Sequence, residues 1–165
     1  MMKETNNRRK AAAKGKAPRA AAFVAAFIAA AVYACAAANA APVVRKDNLL
    51  FAMGAHLAVV YDMDAGTYNV VRVNGEIVAR GARAEAVVTL GGEDMTLSPR
   101  GAARLGWFFE DVEDAHGRGA AVTVTAHGEG DSPDVAHVFR VYDNQPFILM
   151  TLAARNVTDK PMGVK

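Results

Sequence analysis

Residues 135–156 read VAHVFRVYDNQPFILMTLAARN, and the reading of this stretch decides the fold. Val135 to Asp143 is rich in β-branched and aromatic side chains, which fit a pleated, half-buried surface. Asn144-Gln145-Pro146 interrupts the run, because proline cannot donate to a ladder and asparagine favours turns. Phe147 to Asn156 then resumes the same character. The pattern predicts two long antiparallel strands joined by a tight turn. Nothing within it has the look of a catalytic arrangement.

The same grammar extends upstream. Leu49 to Met53 is a short apolar run ended by Gly54, and His56 to Tyr61 reads as a strand closed by the turn Asp62-Met63-Asp64-Ala65-Gly66. Thr67 to Val73 is the next strand. Asn74-Gly75 separates it from Glu76 to Ala79, and such a pair predicts a hairpin turn with positive φ at both positions. Ala82 to Leu90 alternates Ala84, Ala86, Val88 and Leu90 with polar residues, the mark of a strand with one wet face. Gly91 to Asp94 reads as a loop, Met95 to Leu97 as a short extended piece and Ser98 to Gly101 as a turn.

Ala103 to Val112 holds Leu105, Trp107, Phe108 and Phe109, and is taken as a strand because its neighbours are strands. The acidic run Glu110-Asp111-Val112-Glu113-Asp114 reads as a solvated loop leading to a turn at Gly117-Arg118-Gly119. Ala120 to Ala126 alternates again, and Gly128 to Asp134 is a loop. Some eight or nine short strands spaced about ten residues apart predict an all-β, antiparallel β-sandwich.

The first forty of the 165 residues stand apart. Lys3, Arg8, Arg9, Lys10, Lys14, Lys16 and Arg19 precede an alanine-dominated apolar run, Ala20 to Ala38, which ends in Ala38-Asn39-Ala40. A basic stretch, an apolar stretch and an A-x-A site describe a helical signal peptide cut between Ala40 and Ala41, which directs the chain to the periplasm or outside. The run is also long enough for an uncleaved anchor over residues 20–38. Val32-Tyr33-Ala34-Cys35 is a poor lipobox that would anchor the chain through Cys35, and Arg8-Arg9 is a weak twin-arginine match.

Of 19 basic and 17 acidic residues, the signal takes seven and one, leaving 12 and 16, a net charge near −4 for residues 41–165. That sign provides no footprint for nucleic acid or an anionic membrane surface. Cys35 is the only cysteine, so an exported domain starting at Ala41 has no disulfide and relies on its core.

Candidate chemistry is sparse. Ser98 and Ser132 each precede a proline, outside any G-x-S-x-G elbow, and the glycine pairs at 91–92, 117–119 and 128–130 read as hairpin turns. Asp62 to Gly66 resembles the start of a calcium loop, but its glycine comes one position early and Val73 stands where a bidentate glutamate belongs. His56, His116, His127 and His137 lack metal-ligand spacing, though His127 and His137 would face each other if their strands paired that way. Adjacent carboxylates of the acidic run would point to opposite faces of a strand. No metal and no cofactor are expected. Trp107 is the candidate carbohydrate contact, against the commoner role of a core tryptophan. Asn156-Val157-Thr158 fits a glycosylation sequon, expected to be unused behind a bacterial-looking signal.

The segment VFRVYDNQPFILMTLAARNVTDKP resembles part of the N-terminal β-supersandwich of glycoside hydrolase family 36, the melibiase-type alpha-galactosidases and raffinose-synthase relatives. The resemblance rests on Tyr142-Asp143, Pro146-Phe147, Asn156 and Pro161. Upstream, VVYDMDAGTYNVVRVNGEIVARGARAEAVV is similar to the opening strands of that domain. The resemblance implies a non-catalytic front portion of a glycosidase, because the family's two catalytic aspartates lie in a barrel that follows. No catalytic residue is therefore assigned. It further implies a galactoside as partner, and a truncated domain would self-associate through an open sheet edge.

Overall fold

The computed structural model describes residues 43–100, 102 and 104–165. The described residues form twelve strands, all paired antiparallel, and no helix. β1 (Val43–Lys46), β2 (Leu49–Met53), β3 (Leu57–Asp62), β4 (Thr67–Arg72) and β5 (Ile77–Ala82) make a five-stranded meander. β6 (Ala86–Leu90), β7 (Glu93–Leu97) and β12 (Met162–Val164) make a three-stranded sheet in the order β12-β6-β7. β8 (Leu105–Asp114), β9 (Gly117–Ala126), β10 (Asp134–Tyr142) and β11 (Ile148–Arg155) make a four-stranded sheet in the order β11-β10-β9-β8.

The four-stranded sheet is the common layer. One apolar cluster joins Leu50, Ala52, Val59 and Tyr61 of the meander to Ala120, Val122, Val124, Phe139 and Val141. A second joins Val88 and Leu97 of the three-stranded sheet to Ala126 and Val135. Both clusters draw on the same face of β9 and β10, so the architecture is an all-β sandwich with one sheet packed against two. Phe51, Val60 and Val71 form a separate buried group on the other face of the meander.

The hairpin of residues 135–156 forms as its composition predicts, from Val141 paired with Ile148 out to Asp134 paired with Arg155. Along β10 burial alternates: Val135, His137, Phe139 and Val141 are buried, while Ala136 and Val138 are half-buried and Arg140 is exposed. β9 departs from its expected alternation. Ala120 to Val124 is buried throughout, because β8 and β10 flank it on both sides and their longer side chains shield its outward residues.

Four local expectations are corrected. At Asn74-Gly75 only Gly75 has positive φ, and its N–H bonds Arg72 O at 2.8 Å while Arg72 N–H bonds Glu76 O at 2.8 Å. That is a three-residue loop with glycine in the left-handed position. The two-residue turn with both φ positive occurs instead at Gly91-Gly92, so Glu93 and Asp94 belong to β7. The acidic run is strand rather than loop, and the chain reverses at Ala115-His116, leaving Gly117 to Gly119 inside β9. Finally, Ala82 ends β5 and β6 starts only at Ala86.

β8 is an edge strand among the described residues, and it carries Glu110, Asp111, Glu113 and Asp114, all exposed. Charges on an edge repel a like strand, a device that opposes edge-to-edge pairing of copies.

Gly119 sets the closest approach in this layer. A Cβ there would lie 2.0 Å from Val141 O and 2.8 Å from Tyr142 Cα, both backbone atoms. Gly119→Ala is therefore expected to cost about 2 kcal/mol or more. At Gly163 an added Cβ meets nothing within 4 Å, and Gly163→Ala should stay within about 0.5 kcal/mol of wild type. Urea denaturation of the two variants beside wild type measures the contrast, and equal midpoints would refute it.

Candidate functional site

The turn of the 135–156 hairpin lies against the β8–β9 turn, and the two are locked together by polar contacts. Asp114 accepts the His116 backbone N–H at 2.8 Å through one carboxylate oxygen and the Tyr142 hydroxyl at 2.8 Å through the other. Gln145 Nε2 donates to His116 O at 2.8 Å, and the Asp143 N–H donates to Arg118 O at 2.9 Å. The rings of His116, Tyr142 and Phe147 meet edge to face with centroids 5.5–5.8 Å apart.

The electrostatics follow from these contacts. The His116 N–H, then the Tyr142 hydroxyl, hold the Asp114 carboxyl below its usual pKa. Burial, then the hydrogen bond to Asp114, pushes the Tyr142 phenol up. Asp114 is thus a standing anion and acceptor, suited to fixing a turn. A general acid needs the opposite shift.

The other sequence candidates lie apart from this corner and from one another. In the acidic run, Glu110 shares a face with Ala121 and Asp111 shares the opposite face with Ala120. Asp62 Oδ1 accepts the N–H groups of Asp64 and Ala65, each at 3.0 Å, so the calcium-like stretch is a side-chain-capped turn. Ser98 Oγ accepts the Arg100 N–H at 3.2 Å. Asn156 accepts the Thr158 N–H and hydroxyl at 3.0 Å and donates to Lys160 O at 2.7 Å, so the sequon's amide already closes a turn.

His127 and His137 do not meet. His137 pairs with Val124, three residues before His127, and His127 Nδ1 lies 3.5 Å from Asp134 instead. No group of three potential metal ligands occurs among the described residues.

His137 occupies the inter-sheet core, 3 % exposed, among the rings of Tyr61, Tyr68 and Phe139 at centroid distances of 6.4, 5.2 and 4.0 Å. Neither its Nδ1 nor the Tyr61 hydroxyl has a hydrogen-bond partner among the described residues. Burial drives the imidazole down to about 4 and the Tyr61 phenol up to about 12.

Trp107 pairs with Val124 and packs, half-buried, against the core cluster. Its neighbour Phe108 points to the other face and is 55 % exposed. Sequence reading passed over Phe108, although its position one residue from Trp107 on a strand already separates the two faces. The signal segment, Cys35, residues 20–38 and the Ala40–Ala41 cleavage site lie outside the described residues, within which no helix is long and apolar enough to cross a membrane.

Two outcomes follow. His137 has a lower pKa folded than unfolded, so unfolding takes up a proton and stability falls as pH drops from 6.5 towards 4. Between pH 7.5 and 5 the loss should be about 2 kcal/mol, read from urea midpoints, and His137→Phe should flatten it. For Asp114 the lowered pKa makes its contribution complete above the ordinary value of 3.8 and lost as pH falls through the folded-state value. Wild type should therefore outlast Tyr142→Phe in urea at neutral pH, with the advantage closing below pH 3.8; an advantage constant with pH would exclude the pairing. Comparison with protein-family models, with curated proteins and with solved structures returned no match to this chain.

Proposed function

We propose that this chain is the non-catalytic N-terminal β-sandwich portion of an exported alpha-galactosidase-like glycoside hydrolase. The observation that carries the reading is the use made of the segment that resembles that family. Tyr142 and Phe147 are both engaged in packing the hairpin turn onto the β8–β9 turn. Asp143 contributes its backbone N–H to the same contact. The shared residues thus support a role in building the domain, as the resemblance implies, while the catalytic carboxylates belong to a barrel. A substrate of the whole enzyme would be a galactoside.

A second reading, a free-standing periplasmic carbohydrate-binding or protein-interaction domain, is favoured by Phe108 and Phe109 on the edge strand, 55 % and 50 % exposed. They stand on opposite faces of β8, so each is a separate exposed ring flanking the free edge of the sheet.

Turnover tests the first reading. The purified exported chain, incubated with p-nitrophenyl α-galactoside, is expected to release nitrophenol no faster than buffer. Saturable hydrolysis that survives repurification would overturn it. Fractionation of the exported material separates the two readings: co-migration with α-galactosidase activity supports the hydrolase portion, and migration free of it supports the free-standing domain.

A further inference from the structure

Each of the three sheets has two edge strands among the described residues, and five of these six edges are guarded. β1 ends in Arg45 and Lys46, and β7 opens with Glu93 and Asp94. β5 carries Arg80 and shifts register twice against β4, β12 is three residues long, and β8 holds four acids. Charge, irregularity and shortness are the ordinary means by which an edge refuses another strand. β11 has none of them before its last residue, Arg155. Ile148 to Ala154 is uncharged, contains neither proline nor glycine, and pairs with β10 in unbroken register.

The inward row of β11 is also left open. Register sets Met150 opposite Phe139 and Leu152 opposite His137, so the even-numbered residues of β11 face the core. Yet Ile148, Leu152 and Ala154 are only half-buried against the core clusters, and Met150 is 40 % exposed. The four-stranded sheet therefore overhangs the layers beneath it, with an apolar row at its rim. Every second residue of an edge strand also directs its N–H and C=O away from its neighbour. An extended strand with an apolar row of its own satisfies both the backbone groups and the side chains.

β11 is itself such a strand. Two copies paired antiparallel about a two-fold axis normal to the sheet keep inner face beside inner face when even-numbered residues oppose even-numbered ones. Centred on Thr151, this pairing sets Met150 against Leu152 of the second copy. It also sets the large Ile148 and Leu149 against the small Ala154 and Ala153. Thr151 meets its own copy, and threonine pairs are favourable across strands. The two Arg155 side chains then stand eight residues apart, roughly 26 Å, too far to repel each other in salt. We propose that β11 is the interface strand of a symmetric homodimer, in which two four-stranded sheets join edge to edge into one of eight strands. Both outer edges of that sheet are β8, whose acids stop further growth. The interface is independent of the hydrolase reading.

Sedimentation velocity of the full exported protein over a concentration series tests this. Wild type should pass from monomer to dimer with no larger species. Thr151→Lys sets like charges at the two-fold and should weaken association roughly tenfold or more. Its thermal melt should stay in place at low concentration, since residue 151 is exposed. Ala153→Lys, exposed on the same face, serves as the second variant if the first does not fold. An equimolar mixture of Thr151→Lys and Thr151→Glu should recover the dimer, because opposite charges then meet at the axis. A wild type that stays monomeric throughout would overturn the proposal. So would association that survives both lysine variants, that is lost instead in Phe108→Lys on β8, or that grows past the dimer. A dimer lost in Thr151→Lys and not recovered by the mixture would also sink it, since the two-fold would then lie elsewhere.

Discussion

The sandwich depends on a junction of four rings. Tyr61 on β3 and Tyr68 on β4 meet His137 and Phe139 on β10, with the Tyr61–Phe139 and Tyr68–Phe139 pairs edge to face at 5.8 and 5.0 Å. Tyr61 and Phe139 are among the largest fully buried side chains, and burying such rings between the two sheets is a substantial part of what holds the layers together. β10 can take this role because it is hydrogen-bonded to β9 on one side and β11 on the other. Its backbone is fully satisfied, so its inner face is free to be wholly apolar apart from His137. The imidazole is the exception to that rule, and its depressed basicity is what its placement costs.

Turns are secured by side chains rather than by covalent staples. Asp62, Asn74, Asp114, Asp134 and Asn156 each accept a nearby backbone N–H. A short carboxylate or amide that satisfies turn donors relieves the backbone of an unpaired group at little entropic cost. Asp62 and Asp114, which most resemble ligands or catalysts in the sequence, are among those that close turns.

The two faces of the four-stranded sheet are built differently for a physical reason. The inner face must fill the space between layers, so β9 places Ala120, Val122 and Val124 there against the meander. On the outer face the small residues of β9 are covered by taller neighbours on β8 and β10, which leaves Ala121 2 % and Thr123 9 % exposed. The edge strand β8 divides its length between aromatic residues and acids, which keeps the exposed edge from templating a like strand.

Much of this was legible from residue order. Period-two alternation, glycine and asparagine breaks and β-branched runs identified an antiparallel all-β chain and its principal hairpin, because these patterns act over a few residues. The turn geometries were less legible. Asn74-Gly75 adopts a three-residue loop and the reversal between β8 and β9 falls at Ala115-His116, since the pairing of the flanking strands decides where a loop closes. Least legible of all was which aromatic turns inward. Alternation separates Trp107 from Phe108 but is silent on which face is the core, and a one-residue change of register would exchange them. Pairing of Trp107 with Val124 settles it, because Val124 belongs to the face that the meander packs against. The sequence by itself determined two faces; only the packing of one sheet on two others decided which of them meets water.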